Sequence, residues 1–151
     1  MKEKKHLKMK NNDSFIRWQN IRITQLGFAN NLLIALGVAL VGFTLEFIQA
    51  DELILNCIQK ILFWIGIVLS VVSMTLGVFV VINRLEDFKL TAQIARNRET
   101  ENTSGINEDR AVTDKLGKKT WNCFIWQVVT FSIGFLMLLI MILIELIDII
   151  V

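Results

Sequence analysis

Three long apolar stretches, about 26–48, 61–82 and 124–144, constrain this chain more than any other feature, and the second and third hold no charged residue. Each covers roughly 31–35 Å as a helix, enough to cross a hydrocarbon core of about 30 Å. A soluble domain of 151 residues has no interior for three such runs, whereas a bilayer supplies one. Lipid offers no partner to backbone N–H and C=O groups, so each span must be helical, and three isolated spans cannot close a barrel. β-Branched Val71, Val72 and Val80 therefore do not weigh against helix. The absence of proline favours unbroken helices over the interrupted ones of many transporters.

The positive charges give a direction. Seven Lys and Arg precede the first span, Lys60 alone separates the first two, eight lie between the second and third, and none follows. Under the positive-inside rule this predicts a cytoplasmic N-terminus and an external C-terminus. Trp18, Trp121 and Trp126 then fall near the cytoplasmic interface and Trp64 near the outer one, depths that suit an amphipathic ring. The first apolar run begins far behind a long basic segment and no A-x-A site follows it, so a retained anchor is expected, not a cleaved signal peptide.

The expected fold is an all-α membrane protein with three transmembrane helices, N-in and C-out, and a cytoplasmic helical hairpin built from extensions of helices 2 and 3. Residues 1–25 read as a basic cytoplasmic tail, disordered over 1–10, with an interfacial segment behind it; 26–48 as the first span; 49–60 as an outer loop. Residues 61–82 read as the second span, 83–122 as the hairpin, and 123–151 as the third span with a short outer C-terminus. In the hairpin, Leu85, Phe88, Ala92 and Ala95 make a narrow apolar stripe suited to a partner helix. Asn102–Gly105 (NTSG) reads as a turn, and Asn107 as the cap of the next helix, with Glu108 and Asp109 in its first turn.

Catalytic and metal-binding machinery is not expected. His6 is the only histidine and lies in the basic tail; no phosphate loop or nucleophile elbow is present; spans two and three lack titratable groups. Cys57 and Cys123 fall at opposite faces and should not pair, and no cofactor is implied. A net charge of +2 gives no reason to expect a nucleic-acid partner.

What remains is the small and polar residues of the spans. Gly27, Asn31, Ala35, Ala39, Gly42 and Glu46 lie within about 120° of one another at 100° per residue. In span two, Gly66, Ser70, Ser73 and Gly77 repeat at seam spacing; in span three, Gln127, Thr130, Gly134, Met141, Glu145 and Asp148 share a face. Asn30, Gly37 and Thr44 lie on the other side of span one, as do Thr75 and Ser132 in their spans. Close helix packing explains such stripes. So does a partly hydrated path between subunits, which three spans can enclose only as a homo-oligomer. Glu46, Glu145 and Asp148 near the outer ends could ring a pore mouth, or simply terminate inserted helices.

In outline the chain is similar to small, few-span bacterial membrane proteins, including membrane effectors of anti-phage and toxin systems. The likeness is one of architecture; NRLEDFKLTAQIARNRE looks motif-like but carries no known activity. It implies a non-enzymatic inner-membrane protein that disturbs the bilayer when a cytoplasmic partner triggers it. The alternative is a non-conducting anchor that recruits a cytoplasmic protein through 83–122.

Overall fold

The computed structural model describes residues 2–49, 56–99 and 106–150, with the side chains of 2–16, 18, 19, 98, 99, 106 and 148–150 excepted. Three helices make up the described residues: α1 (Lys2–Gln49), α2 (Cys57–Glu99) and α3 (Ile106–Ile150). All three are long and apolar enough to cross a membrane. Partners along α2 fix the topology. Gln59, Gly66 and Ser73 meet Glu145, Leu138 and Gln127, while Gly77 and Arg84 meet Asn30 and Ile23. Partner numbers fall as α2 numbers rise, so α2 runs antiparallel to both neighbours. The pairing of α2 with α3 is extensive; α1 leans chiefly on α2 and barely touches α3.

Burial is inverted relative to a soluble protein. Among the described residues the buried hydrophobic side chains are Phe63, Val80, Ile94, Leu138 and Met141, outnumbered by buried Asn30, Thr44, Gln59, Ser70, Ser73, Asn83, Thr120, Gln127 and Glu145. Phe28, Trp64, Phe79 and Leu136 meanwhile point outward, each more than half exposed. In water such a surface would aggregate. In hydrocarbon it is solvated, and small and polar residues gather inside because they permit close approach and hydrogen bonding. The chain is a multi-pass membrane protein.

Buried positions recur at alternating steps of four and three on α2 (Gln59, Phe63, Gly66, Ser70, Ser73, Gly77, Val80). On α3 they include Thr120, Gln127, Gly134, Leu138, Met141 and Glu145, on the same seven-residue frame. A repeat of 3.5 residues keeps one stripe facing its partner and implies a left-handed coil. With 43 residues, α2 is about 65 Å long, twice the hydrocarbon thickness, and α3 with 45 is as long, so both run on as extensions beyond one span. Ile94 is buried there.

Two expectations differ from the structure. Residues 2–25, expected as a basic tail disordered over 1–10 with an interfacial segment behind it, are helical and continuous with the rest of α1. Lys, Glu, Met and Leu are good helix formers, and the apolar span supplies the nucleus from which they propagate. Asn107 is not the cap of α3, because the helix already includes Ile106; Glu108 and Asp109 do occupy its first turn. The NTSG turn lies outside the described residues, as does most of the loop joining α1 to α2.

Candidate functional site

The α2–α3 seam is closest at two glycines. A methyl added to Gly66 would sit 2.6 Å from both Cγ and Cδ2 of Leu138 and 3.3 Å from the Gly134 carbonyl oxygen. One added to Gly134 would sit 3.2 Å from the Gly66 oxygen, Leu69 Cβ and Ser70 Oγ. The backbones therefore touch, which only glycine allows. Ser70, Thr44, Thr75 and Thr130 each return a hydroxyl to a carbonyl four residues earlier on their own helix, which satisfies them without a neighbour.

Other polar side chains cross between helices and converge on Gly77. Ser73 Oγ donates to the Gln127 carbonyl oxygen at 2.9 Å, and Asn30 Nδ2 donates to the Gly77 oxygen at 3.3 Å. A Cβ on Gly77 would lie 2.6 Å from Gln127 Nε2 and 2.8 Å from Ile34 Cγ1, so this glycine admits side chains from both other helices. Gln127 is fully buried, and neither atom of its amide has a partner; Asn30 Oδ1 also lacks one. Buried polar groups of that kind cost about 1–3 kcal/mol each and mark a place where the bundle is not optimised for stability.

Toward the opposite end, Gln59 Nε2 donates to Glu145 Oε2 at 2.7 Å, while Gln59 Oε1 accepts the Asn56 N–H at 2.6 Å. Both side chains are buried between α2 and α3. Glu145 is thus occupied inside one chain, whereas Glu46 on α1 is exposed. The side chain of Asp148 lies outside the described residues.

The stripes chosen from sequence separate into two groups. Gly66, Ser70, Ser73, Gly77, Gln127 and Gly134 are buried against one another, with Thr130 half-buried beside them. Asn31, Ala35, Ala39 and Gly42 are exposed, with Asn31 bordering a crevice beside Val80 and Val81 of α2 and Ala39 a hollow beside Phe131 and Phe135 of α3. Within one chain that stripe is not a packing face. The buried face of α1 holds Asn30, Gly37 and Thr44, the residues that had looked like exceptions. Gly37 packs on α2, where a methyl would meet Met74 Cγ at 3.0 Å. Their seven-residue spacing matches the frame of α2 and α3, and that signal could have identified them.

At the basic end, just beyond span two, Arg84 reaches α1 and donates to the Ile23 carbonyl oxygen at 3.0 Å, with its guanidinium carbon 5.5 Å from the centre of the Phe88 ring. Burial lowers the Arg84 pKa against the pull of Asp87, and burial raises that of Asp87 against the pull of Arg84. Leu85, Phe88, Ala92 and Ala95 are all exposed along the extension, opposite buried Ile94. Leu85 and Phe88 border a crevice against Ile23 and Asn30 of α1, at the end of the stripe nearest the span.

Among the described residues no three His, Cys, Asp or Glu side chains converge as metal ligands would. The arrangement offers polar contacts inside a membrane, an exposed small-residue face on α1 and an exposed apolar stripe beyond span two. No family model matches this chain, and neither a curated protein nor a solved structure is similar to it.

Proposed function

We propose that this chain is a non-enzymatic, homo-oligomeric protein of the bacterial inner membrane, N-in and C-out, that forms or opens a path through the bilayer. In this reading the paired extension, 83–122, stands in the cytoplasm and receives a protein partner on Leu85, Phe88, Ala92 and Ala95. Copies of α1 line the path with Asn31, Ala35, Ala39, Gly42 and Glu46. The observation that carries the reading is the outward face of α1. Small and polar residues gain nothing from facing lipid, and this face stays exposed once the chain has folded, with Asn31 and Ala39 at its edges beside α2 and α3. The seams of α2 and α3 are spent on each other and act as scaffold.

Conductance of the purified oligomer in planar bilayers tests the proposal, with and without cytoplasmic extract. Cation-selective steps that lose selectivity in Glu46→Gln, but not in Glu145→Gln, are expected, because Glu145 is turned into the α2–α3 seam. A monomer in detergent, or an oligomer that never conducts, would refute it. A second reading, a non-conducting anchor that recruits through 83–122, is favoured by the burial of two of the three polar stripes within one chain. Full activity after replacement of all three spans by unrelated apolar helices would establish the anchor.

A further inference from the structure

We propose that the crevice where the three helices meet at the basic end binds the headgroup of one phospholipid, a phosphodiester whose polar arm carries a hydrogen-bond donor. The inference needs only that the helices cross a membrane, and it stands whether or not the chain conducts. The crevice encloses about 250 Å³ between Arg22 of α1, Arg84 and Asp87 of α2, and Gly117 and Trp121 of α3. Arginines from two helices thus border one space. Arg84 spends one N–H on the Ile23 oxygen, and a guanidinium has five, so donors remain for a phosphate.

Asp87 narrows the ligand. Half-buried Asp87 borders the same crevice as Arg84, and its Oδ1 accepts no hydrogen bond. A bare phosphate would place a second anion beside this carboxyl. A phosphodiester ending in an ammonium or a hydroxyl puts its anion on the arginines and its donor on Asp87. Ethanolamine and glycerol headgroups have that donor; choline, with three methyls on its nitrogen, does not.

Position and shape agree with a lipid. The crevice lies where the apolar runs of all three helices give way to charge, and Trp121 borders it at the depth tryptophan favours. Below it on the α1–α3 side opens a hollow of about 470 Å³, walled by Leu36, Ala39, Leu40, Phe43, Phe131 and Phe135. Ten residues of α1 separate Leu26, at the crevice, from Leu36, a rise of about 15 Å and the depth of about one leaflet. An acyl chain leaving the headgroup would follow this side of the bundle. A methyl on Gly117 meets nothing within 4 Å, so the protein leaves the space beside it open.

Native mass spectrometry of the full chain, released from nanodiscs holding equal amounts of phosphatidylethanolamine, phosphatidylglycerol and phosphatidylcholine with identical acyl chains, tests the site. One ethanolamine or glycerol lipid per chain is expected, retained about tenfold over choline lipid. Arg22→Gln and Gly117→Trp should each abolish the preference. Lys118→Gln, basic but outside the crevice, should leave it intact. Circular dichroism must show wild-type helicity for each variant. If Arg22→Gln loses helicity, Gly117→Trp, placed in open space, and the wild-type lipid ranking decide. Equal retention of choline lipid, a preference that survives Gly117→Trp, or retention of added inorganic phosphate without lipid selectivity would overturn the proposal.

Discussion

The Gly66–Leu138 contact allows the packing of this bundle to be tested against its hydrophobicity. Gly66→Ala adds one methyl whose carbon would lie 2.6 Å from two Leu138 atoms, against roughly 3.5–4.0 Å for comfortable contact. Leu138 is fully buried and Gly134 lies behind it, so neither can yield without parting α2 from α3. Overpacking of this kind costs about 1–3 kcal/mol, while replacing glycine inside a helix returns at most about 1 kcal/mol. Gly42→Ala separates the two terms, because a methyl there meets nothing within 4 Å. The difference between the variants, about 1–3 kcal/mol, is then the packing term alone. SDS titration in mixed micelles, followed by tryptophan fluorescence, should give that difference as a shift in midpoint. Leu138→Ala removes both clashing atoms, so the double variant should show a coupling of about 1 kcal/mol or more. If Gly66→Ala and Gly42→Ala unfold alike, α2 and α3 are not in backbone contact and the seam described above is wrong.

Substitutions at three other residues probe the polar contacts by the same titration. Gln127→Met keeps the volume of a side chain whose amide has no partner, and should stabilise the bundle by about 1 kcal/mol; a loss would mean that the amide is bonded in the membrane. Glu145→Gln keeps an oxygen for Gln59 and should change little, whereas Glu145→Leu strands a buried Nε2 and should cost about 1–3 kcal/mol. Asn30→Leu deletes the bond from α1 to the Gly77 oxygen, worth about 0.6 kcal/mol between membrane helices, but also the unpartnered Oδ1, so stability should fall by no more than about 0.6 kcal/mol even as α1 loosens. Spin labels on α1 and α2 should then report a wider distance distribution; an unchanged one would show that Asn30 does not hold α1.

The spans and the helical nature of every element were legible because hydrocarbon imposes both. The seams of α2 and α3 were also legible, since Gly66, Ser70, Ser73 and Gly77 share a spacing with Gln127, Gly134 and Met141 that a coiled pair requires. The face of α1 was not. Asn31, Ala35, Ala39 and Gly42 on one side and Asn30, Gly37 and Thr44 on the other are alike in size and polarity, so composition cannot say which side a neighbour takes. Only register decides, and register appears when the three helices are compared. The crevice beside Arg84 was invisible for a different reason: Arg22, Asp87 and Gly117 lie far apart in sequence and meet only because three helices cross at one depth.

How firmly each helix is held follows from what drives association in lipid. Apolar surface is solvated equally well by acyl chains and by side chains, so burying it gains little, and specificity falls to close backbone contact and hydrogen bonds. The α2–α3 pair has both, from the Gly66–Gly134 approach to the Gln59–Glu145 bond. α1 has less. Its bonds to α2, from Asn30 and from Arg84, both lie toward the basic end, and Thr44 spends its hydroxyl on its own helix. Beyond Gly37 it rests on apolar contacts of Leu40, Phe47 and Ile48 with the Phe63–Leu138–Met141 cluster, contacts that lipid can replace. α1 is therefore pinned at one end and replaceably packed at the other, and the hollow against Phe131 and Phe135 lies on that looser side. In the proposed oligomer, this places any rearrangement at the Glu46 end of α1 and leaves the α2–α3 pair as the rigid frame.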